Sequence, residues 1–310
     1  MRIATFNVQN LRLRRPGGQP RFDGARDADM PQDATAQGVA LDLADRRLTA
    51  AVLAQADADI VCLQEVFDAE TLDYFHDHLL HQTGARPWPH RACLPGNDGA
   101  SRNVALISRL PLSEVTSHAA LMPADLGLAE HPGARPERPI FCRDCLMVQV
   151  GSITLFACHF KAPWPDAESS WQQRRLEALA VRRLVEARFS GDAQALWLIL
   201  GDLNEPAVET MGERAIAPLV TDFAVDLVAR MPQPDRWTWL APDGKTYARP
   251  DAILASPALA ARWPRARPRA LREGLGAEAR RHEGPRLPDV GHHRPHASDH
   301  ALLLVDLPGA

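Results

Sequence analysis

The run from Leu196 to Pro206 stops being apolar at a glycine and then presents two oxygen-bearing side chains, Asp202 and Asn204. A carboxylate beside a carboxamide can hold a water molecule and a divalent ion, a starting kit for hydrolysing a phosphate ester. Gly, Asp and Asn also make ordinary turns, so the motif gains weight only from its companions. Glu65 closes the apolar run from Asp59 to Val66. A glutamate ending a buried strand is costly unless paired or bound to a cation, whereas at a sheet edge it would be solvated. His159 and Lys161 end the run from Ser152 to Phe160. They could supply a proton donor and a phosphate-binding cation, or be a packed histidine beside a solvated lysine. Asn7, Asp251, and Asp299 with His300 also stand where apolar runs begin or end.

These residues need elements to position them. Five bulky apolar residues in succession before Gly201 suit a strand covered on both faces. At period two, Asp202 and Asn204 then point the same way. Ile3–Val8 reads as a first strand and residues 12–40, rich in Arg, Pro, Gly and Asp, as a long loop. Residues 42–56 favour helix, and Leu72, Phe75, His76, Leu79 and Leu80 make 69–82 an amphipathic helix ending near Gly84. His76, His78 and His81 on that helix are expected at the surface or in packing, because no carboxylate pattern accompanies them. Strands are expected at 103–109, 112–117, 140–150 and 152–160, with a proline-containing loop over 122–139. Ser170 and Gln173 match a capping box opening a helix with an apolar stripe through Leu176, Leu179, Ala180, Leu184 and Ala187. Asp243-Gly244 signals a hairpin that brings Trp237 and Trp239 beside the strand of Asp251. Residues 262–295 read as a long basic loop before a last strand, Ala297–Asp306.

With 310 residues, 45% hydrophobic and 24% charged, the chain can bury a large core as one α/β domain or as two small ones. A net charge of -4 gives no global field for polyanions, although a local basic patch is compatible with it. The opening residues enter a strand-like alternation without a secretory signal, and no apolar run approaches the roughly 20 residues of a membrane helix. A cytoplasmic location is the expectation. The five cysteines read as reduced core residues. Cys142 and Cys145 form one C-x-x-C, but a zinc site would want a second pair or matching histidines, and the surroundings read as strand.

The motifs Thr5-Phe-Asn7, Leu63-Gln-Glu65, His159-Phe-Lys161, Gly201-Asp-Leu-Asn204, Arg249-Pro-Asp251 and Ser298-Asp-His300, in that order, resemble the endonuclease/exonuclease/phosphatase superfamily. The resemblance runs from Ile3 to Leu307. It implies one α/β (α+β) domain over residues 1–310, a four-layer sandwich of two packed mixed β-sheets flanked by helices, with long loops at about 12–40 and 262–295. It also implies a Mg²⁺ or Mn²⁺ site at one end of the sheets. On this resemblance Glu65 is the principal metal ligand, with Asn7 and Asp299 completing the shell directly or through water. Asp202 and Asn204 position and help activate the attacking water. His300 contacts the phosphoryl oxygens and takes part in proton transfer, held by Asp251, while His159 serves the phosphate or leaving group with Lys161 nearby.

Two departures from the family pattern stand out. Ala252 follows Asp251 where an aromatic is usual, which would open the pocket or alter substrate stacking. Where relatives pair the first histidine with a glutamate, this chain has Ser101-Arg-Asn-Val, so Asn103 is expected to orient His159 without carrying charge, and Arg102 to bind phosphate. The leading expectation is a nuclease or related phosphodiesterase, with the 262–295 loop and the tryptophans contacting a nucleic-acid strand. The alternative is a phosphatase or phosphodiesterase for a small-molecule or lipid phosphoester. A catalytically dead binding module is a third class, and the complete set of acidic and imidazole residues argues against it. No membrane span and no obligate protein partner is evident, and a monomer is expected.

Overall fold

The computed structural model describes residues 1–25 and 35–310. β1 (Arg2–Leu11) leads through a short ribbon, β2 (Leu13–Arg14) and β3 (Arg21–Phe22), towards helix α1 (Ala36–Ala56). Then come β4 (Ile60–Val66), α2 (Ala69–Phe75), β5 (His90–Cys93), β6 (Asn103–Ser108), β7 (Ser113–Thr116), β8 (Cys145–Val150) and β9 (Ile153–His159). Helix α3 (Ala167–Arg188) returns the chain to β10 (Trp197–Asp202), followed by α4 (Ala217–Val220) and β11 (Val225–Asp226). A hairpin, β12 (Trp239–Leu240) and β13 (Tyr247–Ala248), precedes β14 (Asp251–Ala255), α5 (Pro257–Arg262), β15 (Arg269–Leu271) and β16 (Leu302–Asp306).

Among the described residues the strands build two six-stranded mixed sheets, ordered β15-β16-β1-β4-β6-β5 and β11-β14-β10-β9-β8-β7, beside the two small ribbons. Alternation along each strand decides which layer a side chain joins. Ile3, Ile60, Cys62 and Leu106 of the first sheet meet Leu155, Ala157, Leu198, Leu200 and Ile253 of the second in a dry central core. Ala4, Phe6, Val61 and Leu63 point the other way, against Leu48, Val52 and Leu53 of α1 and Leu72 and Phe75 of α2. On the far side Phe156, Cys158, Trp197 and Ile199 pack under Leu176, Val181 and Val185 of α3. The result is the expected four-layer sandwich. Each fully buried Leu, Ile or Phe contributes about 1.5–3 kcal/mol, so a strand such as β10, apolar on both faces, is a rigid platform for whatever terminates it.

Several local expectations are corrected. Helix α1 begins at Ala36, capped by Thr35, which accepts a hydrogen bond from the Gly38 N–H, so the long loop expected over 12–40 is shorter; residues 26–34 lie outside the described residues. The helix expected over 69–82 is α-helical only to Phe75; it widens into a π turn over His76–Leu80 and closes through His81–Thr83 at Gly84, with φ of 75°. Within it His76 is a packing residue, its Nε2 accepting the Trp88 N–H at 3.1 Å. Helix α3 is capped by Asp166, which accepts from the Ser169 N–H at 2.8 Å. Ser170, the expected cap, lies inside the helix with its hydroxyl donated to the Trp164 carbonyl. β8 starts at Cys145 rather than Ile140. The 262–295 stretch is also not a bare loop, because Arg269–Leu271 pairs with β16 as an edge strand. Three of its arginines turn inward, Arg272 donating to the Trp237 carbonyl, Arg286 to the Leu275 and Ala279 carbonyls, and Arg294 pairing with Asp42 and Asp45, whereas Arg262, Arg265, Arg267, Arg269, Arg280 and Arg281 are exposed.

Candidate active site

Register brings the chemistry together. β9 and β10 run parallel with His159 opposite Asp202, and β10 and β14 run antiparallel with Asp202 opposite Asp251. His159, Asp202 and Asp251 share the phase of Ala157, Leu200 and Ile253, which face the central core, so they continue that face at its open end. Gly201 is what lets the strands close up here. Its φ is 139°, and a Cβ at that position would lie 1.9 Å from the Cys158 carbonyl oxygen. Across the gap Asn7 holds the same inward phase on β1 and donates from Nδ2 to Asp202 Oδ2 at 3.1 Å, joining the two sheets.

Glu65 arrives differently. It sits at a register shift between Gln64 and Val66 with φ of 67°. That left-handed conformation costs of order 1 kcal/mol or more for a non-glycine residue and turns the carboxylate towards the gap. A second irregularity, in β1 between Asn7 and Leu11, places Gln9 and Asn10 at φ of 49° and 58°. Asn10 donates its backbone N–H to Glu65 Oε2 at 2.9 Å, and Gln9 Oε1 accepts the Asp299 N–H at 2.9 Å. Arg46, fully buried on α1, caps the carbonyls of Val8, Gln9, Asn10 and Asp23 at 2.8 to 2.9 Å. Unpaired buried carbonyls would be expensive, so this guanidinium stabilises the irregular strand that serves Glu65 and Asp299.

A cavity of about 500 Å³ takes in Asn7, Glu65, Arg102, His159, Asp202, Asn204, Asp299 and His300. Asp251 stands behind it: Oδ2 accepts from the Thr238 hydroxyl at 2.6 Å and is bonded to His300 Nδ1 at 2.9 Å. His300 Nε2 is then 3.7 Å from Asp202 Oδ2, and His159 Nε2 lies 3.7 Å from the same oxygen and 4.0 Å from Glu65 Oε1. Burial would lower the His300 pKa, but the charge and hydrogen bond of Asp251, with Asp202 and Asp299, raise it to about 10. His159 goes the other way, pushed well below the usual imidazole range by burial and then by the positive charges of Arg143, His300 and Arg102. Asp202 is raised to about 6 by burial, with Asp251 adding to the rise and the His300 cation opposing it. One imidazole is therefore cationic and the other neutral on either side of a carboxylate that titrates near neutrality.

Other expected residues fall elsewhere. Asn204 is at the cavity, but β10 ends at Asp202 and Asn204 has φ of 54°, so period two does not govern it. Its N–H donates to Asp202 Oδ1 and its Nδ2 to the Phe160 carbonyl, both at 2.9 Å. Asn103 does not orient His159. Its amide is spent on the Gly96 N–H and the Phe67 carbonyl, and His159 Nδ1 is buried without a hydrogen-bond partner. Arg102 reaches the cavity but shares Asp98 with Arg143. Lys161 does not line it; its ammonium donates to the Ala162 and Trp164 carbonyls. Ala252 is buried on the opposite face of β14 under α3, so it neither opens the pocket nor touches a ligand there. Trp237 is likewise buried, packed edge-on against Tyr247. Sequence reasoning missed Asn10, Arg143 and Trp164, all of which line the cavity. Arg143 was concealed by the expected strand over 140–150, and Trp164 by its proline-flanked loop.

The oxygen donors fit a hard dication. Glu65, Asp202 and Asp299 face one cavity whose arginines are already shared with Asp98, leaving His300 as the cation that answers them. Asp202, Asp251 and His300 form a second group with ligand atoms within 4.8 Å of one another. There, however, His300 Nδ1 is committed to Asp251 and the ring holds its proton, which suits proton handling better than metal ligation. Glu65 and Asp299, with Asn7 beside Glu65, offer oxygens of the kind a hard dication takes, although Asp299 Oδ2 already accepts the Trp239 indole N–H at 2.9 Å.

A family model described as the endonuclease/exonuclease/phosphatase family matches residues 4–300. The chain belongs to that family. Its members are metal-dependent phosphoester hydrolases, and the chain is an enzyme of that class. Similar solved structures include truncated TDP2 from Caenorhabditis elegans, 16% identical with a TM-score of 0.56 over 98% of this chain and 96% of that one. An AP endonuclease from Archaeoglobus fulgidus is 16% identical with a TM-score of 0.57 over 99% of each chain. The mannosyl-6-phosphatase Bt3783 of Bacteroides thetaiotaomicron is 13% identical with a TM-score of 0.56 over 99% of this chain and 98% of that one. At such identities the likeness concerns the fold. A comparison of the sequence with curated proteins gives no match. Among the described residues no helix is long and apolar enough to cross a membrane.

Proposed function

We propose that the enzyme hydrolyses nucleic-acid phosphodiesters by in-line attack of a water molecule, with Glu65, Asp299 and Asn7 as the residues that would hold Mg²⁺ or Mn²⁺. The observation that carries this reading is Asp202 between the imidazoles of His159 and His300, each 3.7 Å away, in one cavity with Glu65. The ion, when bound, polarises the phosphoryl group and offsets its charge. Asp202, fixed by the Asn7 amide and the Asn204 N–H, takes the proton of the attacking water in this reading. His300, protonated and held by Asp251, stabilises negative charge growing on the phosphoryl oxygens. His159, kept neutral, serves the leaving-group side. Two aromatic surfaces favour a nucleic-acid substrate: Trp164, 73% exposed at the rim, and Trp239, half-buried beside His300.

A second reading, a small or lipid phosphoester, draws on the stretch 262–295, no residue of which lines the cavity, and on the fold shared with a mannosyl-6-phosphatase. The test is a panel of single- and double-stranded DNA, RNA, sphingomyelin, inositol phosphates and a sugar phosphate with Mg²⁺ and Mn²⁺. The proposal expects cleavage of a nucleic acid, abolished by EDTA and restored by excess metal. Hydrolysis confined to the small or lipid esters would replace it with the second reading.

A further inference from the structure

Beyond the catalytic cavity, the far side of the segment from Lys161 to Trp164 opens into a second concavity of about 580 Å³. Ala162, Pro163 and Trp164 line the first cavity, whereas Lys161 lines the second together with Arg135, Arg138, Gln172 and Gln173. Three cationic side chains thus share a hollow with no carboxylate in its lining. Glu137, Asp166 and Glu168, nearby in sequence, are exposed and do not line it, while the buried Glu177 lies behind Lys161 and accepts its backbone N–H at 2.8 Å. Arg135 donates to the neighbouring Ala134 carbonyl, and among the described residues neither Arg135 nor Arg138 forms a salt bridge. The other arginines near the cleft are engaged, Arg102 and Arg143 with Asp98 and Arg175 with Glu213. Glu177 answers Lys161 from behind, but Arg135 and Arg138 bring further positive charge to the hollow, an arrangement that favours an anion there.

The wall that carries the two arginines is built into the fold. Gly133 lies so close to α3 that an added Cβ would stand 2.6 Å from the Gln172 carbonyl oxygen. Gln173 Nε2 donates to the Ile140 carbonyl at 2.6 Å, and the Ile140 N–H to the Leu121 carbonyl at 2.8 Å. The loop over 131–140 is therefore pinned at both ends against the helix. Lys161 follows His159 by two residues, at most about 7 Å along the chain. Trp164, three residues beyond Lys161, is exposed and lines the first hollow.

We propose that Arg135, Arg138 and Lys161 form a second anion subsite that takes a non-scissile phosphate of a single-stranded nucleic acid, with the intervening base stacked on Trp164. The inference rests on the nucleic-acid reading of the catalytic cavity and adds where the strand runs. An unpaired strand is specified because an isolated exposed indole can stack only a base freed from its partner. Lys161 thereby regains the phosphate-binding role expected of it, at a phosphate next to the reacting one.

The experiment compares wild type with the Arg135→Ala/Arg138→Ala double variant, both positions being exposed. It uses cleavage and metal-free binding of a thymidine 12-mer over a range of salt, with bis-p-nitrophenyl phosphate as a substrate bearing one phosphate. The expected result is about a tenfold rise in KM and Kd for the 12-mer, with the salt slope shallower by about 1.4, the value for two lost contacts to a single strand. Hydrolysis of bis-p-nitrophenyl phosphate should stay within twofold. A wild type that binds and cleaves the 12-mer, with an unchanged slope in the variant, overturns the subsite and leaves the nucleic-acid reading intact. A wild type that hydrolyses bis-p-nitrophenyl phosphate but neither binds nor cleaves the 12-mer overturns both. Trp164→Ala should weaken 12-mer binding without changing the salt slope, since stacking releases no counterion; a changed slope would count against the stacking role.

Discussion

The two walls of the cleft are built by opposite means. On the second sheet, His159, Asp202 and Asp251 stand side by side because three regular strands are in register. On the first, Glu65 and its supports depend on backbone at positive φ and on a buried arginine that caps the carbonyls of the irregular strand. Regular strands hold side chains at fixed lateral spacing, which suits proton handling between hydrogen-bonded neighbours. An irregular strand instead brings a carboxylate and backbone groups to one point from several directions, which suits an oxygen-liganded ion. The proton-handling wall should thus fail in turnover and pH dependence, and the oxygen-rich wall in metal requirement.

The largest effect is expected from Asp202→Asn. The amide oxygen can still accept the Asn204 N–H, so the fold should persist by circular dichroism. Loss of the proton acceptor should lower kcat by about 10³–10⁴-fold; a variant within tenfold of wild type would remove Asp202 from the chemistry. Next comes Asp251→Asn, expected to lower kcat by about 100-fold and to move the alkaline limb of the pH–rate profile downwards, because Asp251 is the chief group raising the His300 pKa to about 10. The same pair gives a stability test in EDTA. His300 is raised in the folded state, so its contribution is complete below its ordinary value of 6.5 and is lost as pH rises through about 10. The stability gap between wild type and Asp251→Asn should narrow over that window. Asp202, also raised, acts in the same sense in an earlier window: stability falls as pH rises from 3.8 to about 6. A gap constant from pH 6 to 10 would break the assignment.

The other wall predicts a different signature. Glu65→Gln should raise the half-saturating Mg²⁺ concentration by about 10–100-fold, with much of the lost activity recovered at high metal. Asp202→Asn should show no such recovery. If the two variants exchanged these behaviours, the division between the walls would be wrong.

The contrast also explains what the sequence discloses. Strands such as β10 declare themselves as apolar runs, and their terminal Asp and His are legible because a polar side chain ending a buried strand has few structural reasons to be there. Six such ends in family order were enough for the sandwich and for a hydrolase. The period-two rule failed at Asn204 because the strand had already ended. The shift that aims Glu65 has no local signature: Leu63-Gln-Glu-Val66 looks like any strand, and its left-handed residue is stabilised by Asn10 and, through the carbonyls around it, by Arg46. Nothing local in Asp45-Arg-Arg47 marks Arg46 as the buried one. Arg272, Arg286 and Arg294 were misleading for the same reason, since only folding reveals the carbonyls and carboxylates that occupy them. Pairings distant in sequence are where reading along the chain runs out.

The smallest effect sharpens the comparison by its sign. Thr238→Val removes the hydroxyl that donates to Asp251 Oδ2 at 2.6 Å, leaving that oxygen to His300 alone. Stability should fall by about 1–2 kcal/mol, the usual penalty for a buried acceptor that loses its donor. With less competition at the carboxylate, His300 should hold its proton more tightly, so the alkaline limb should move upwards, opposite to Asp251→Asn, while kcat changes only a few-fold. Upward and downward shifts from two changes around one carboxylate cannot both come from general loosening of the fold. A downward shift in Thr238→Val would mean that the threonine acts by packing, and that Asp251 tunes His300 without its help.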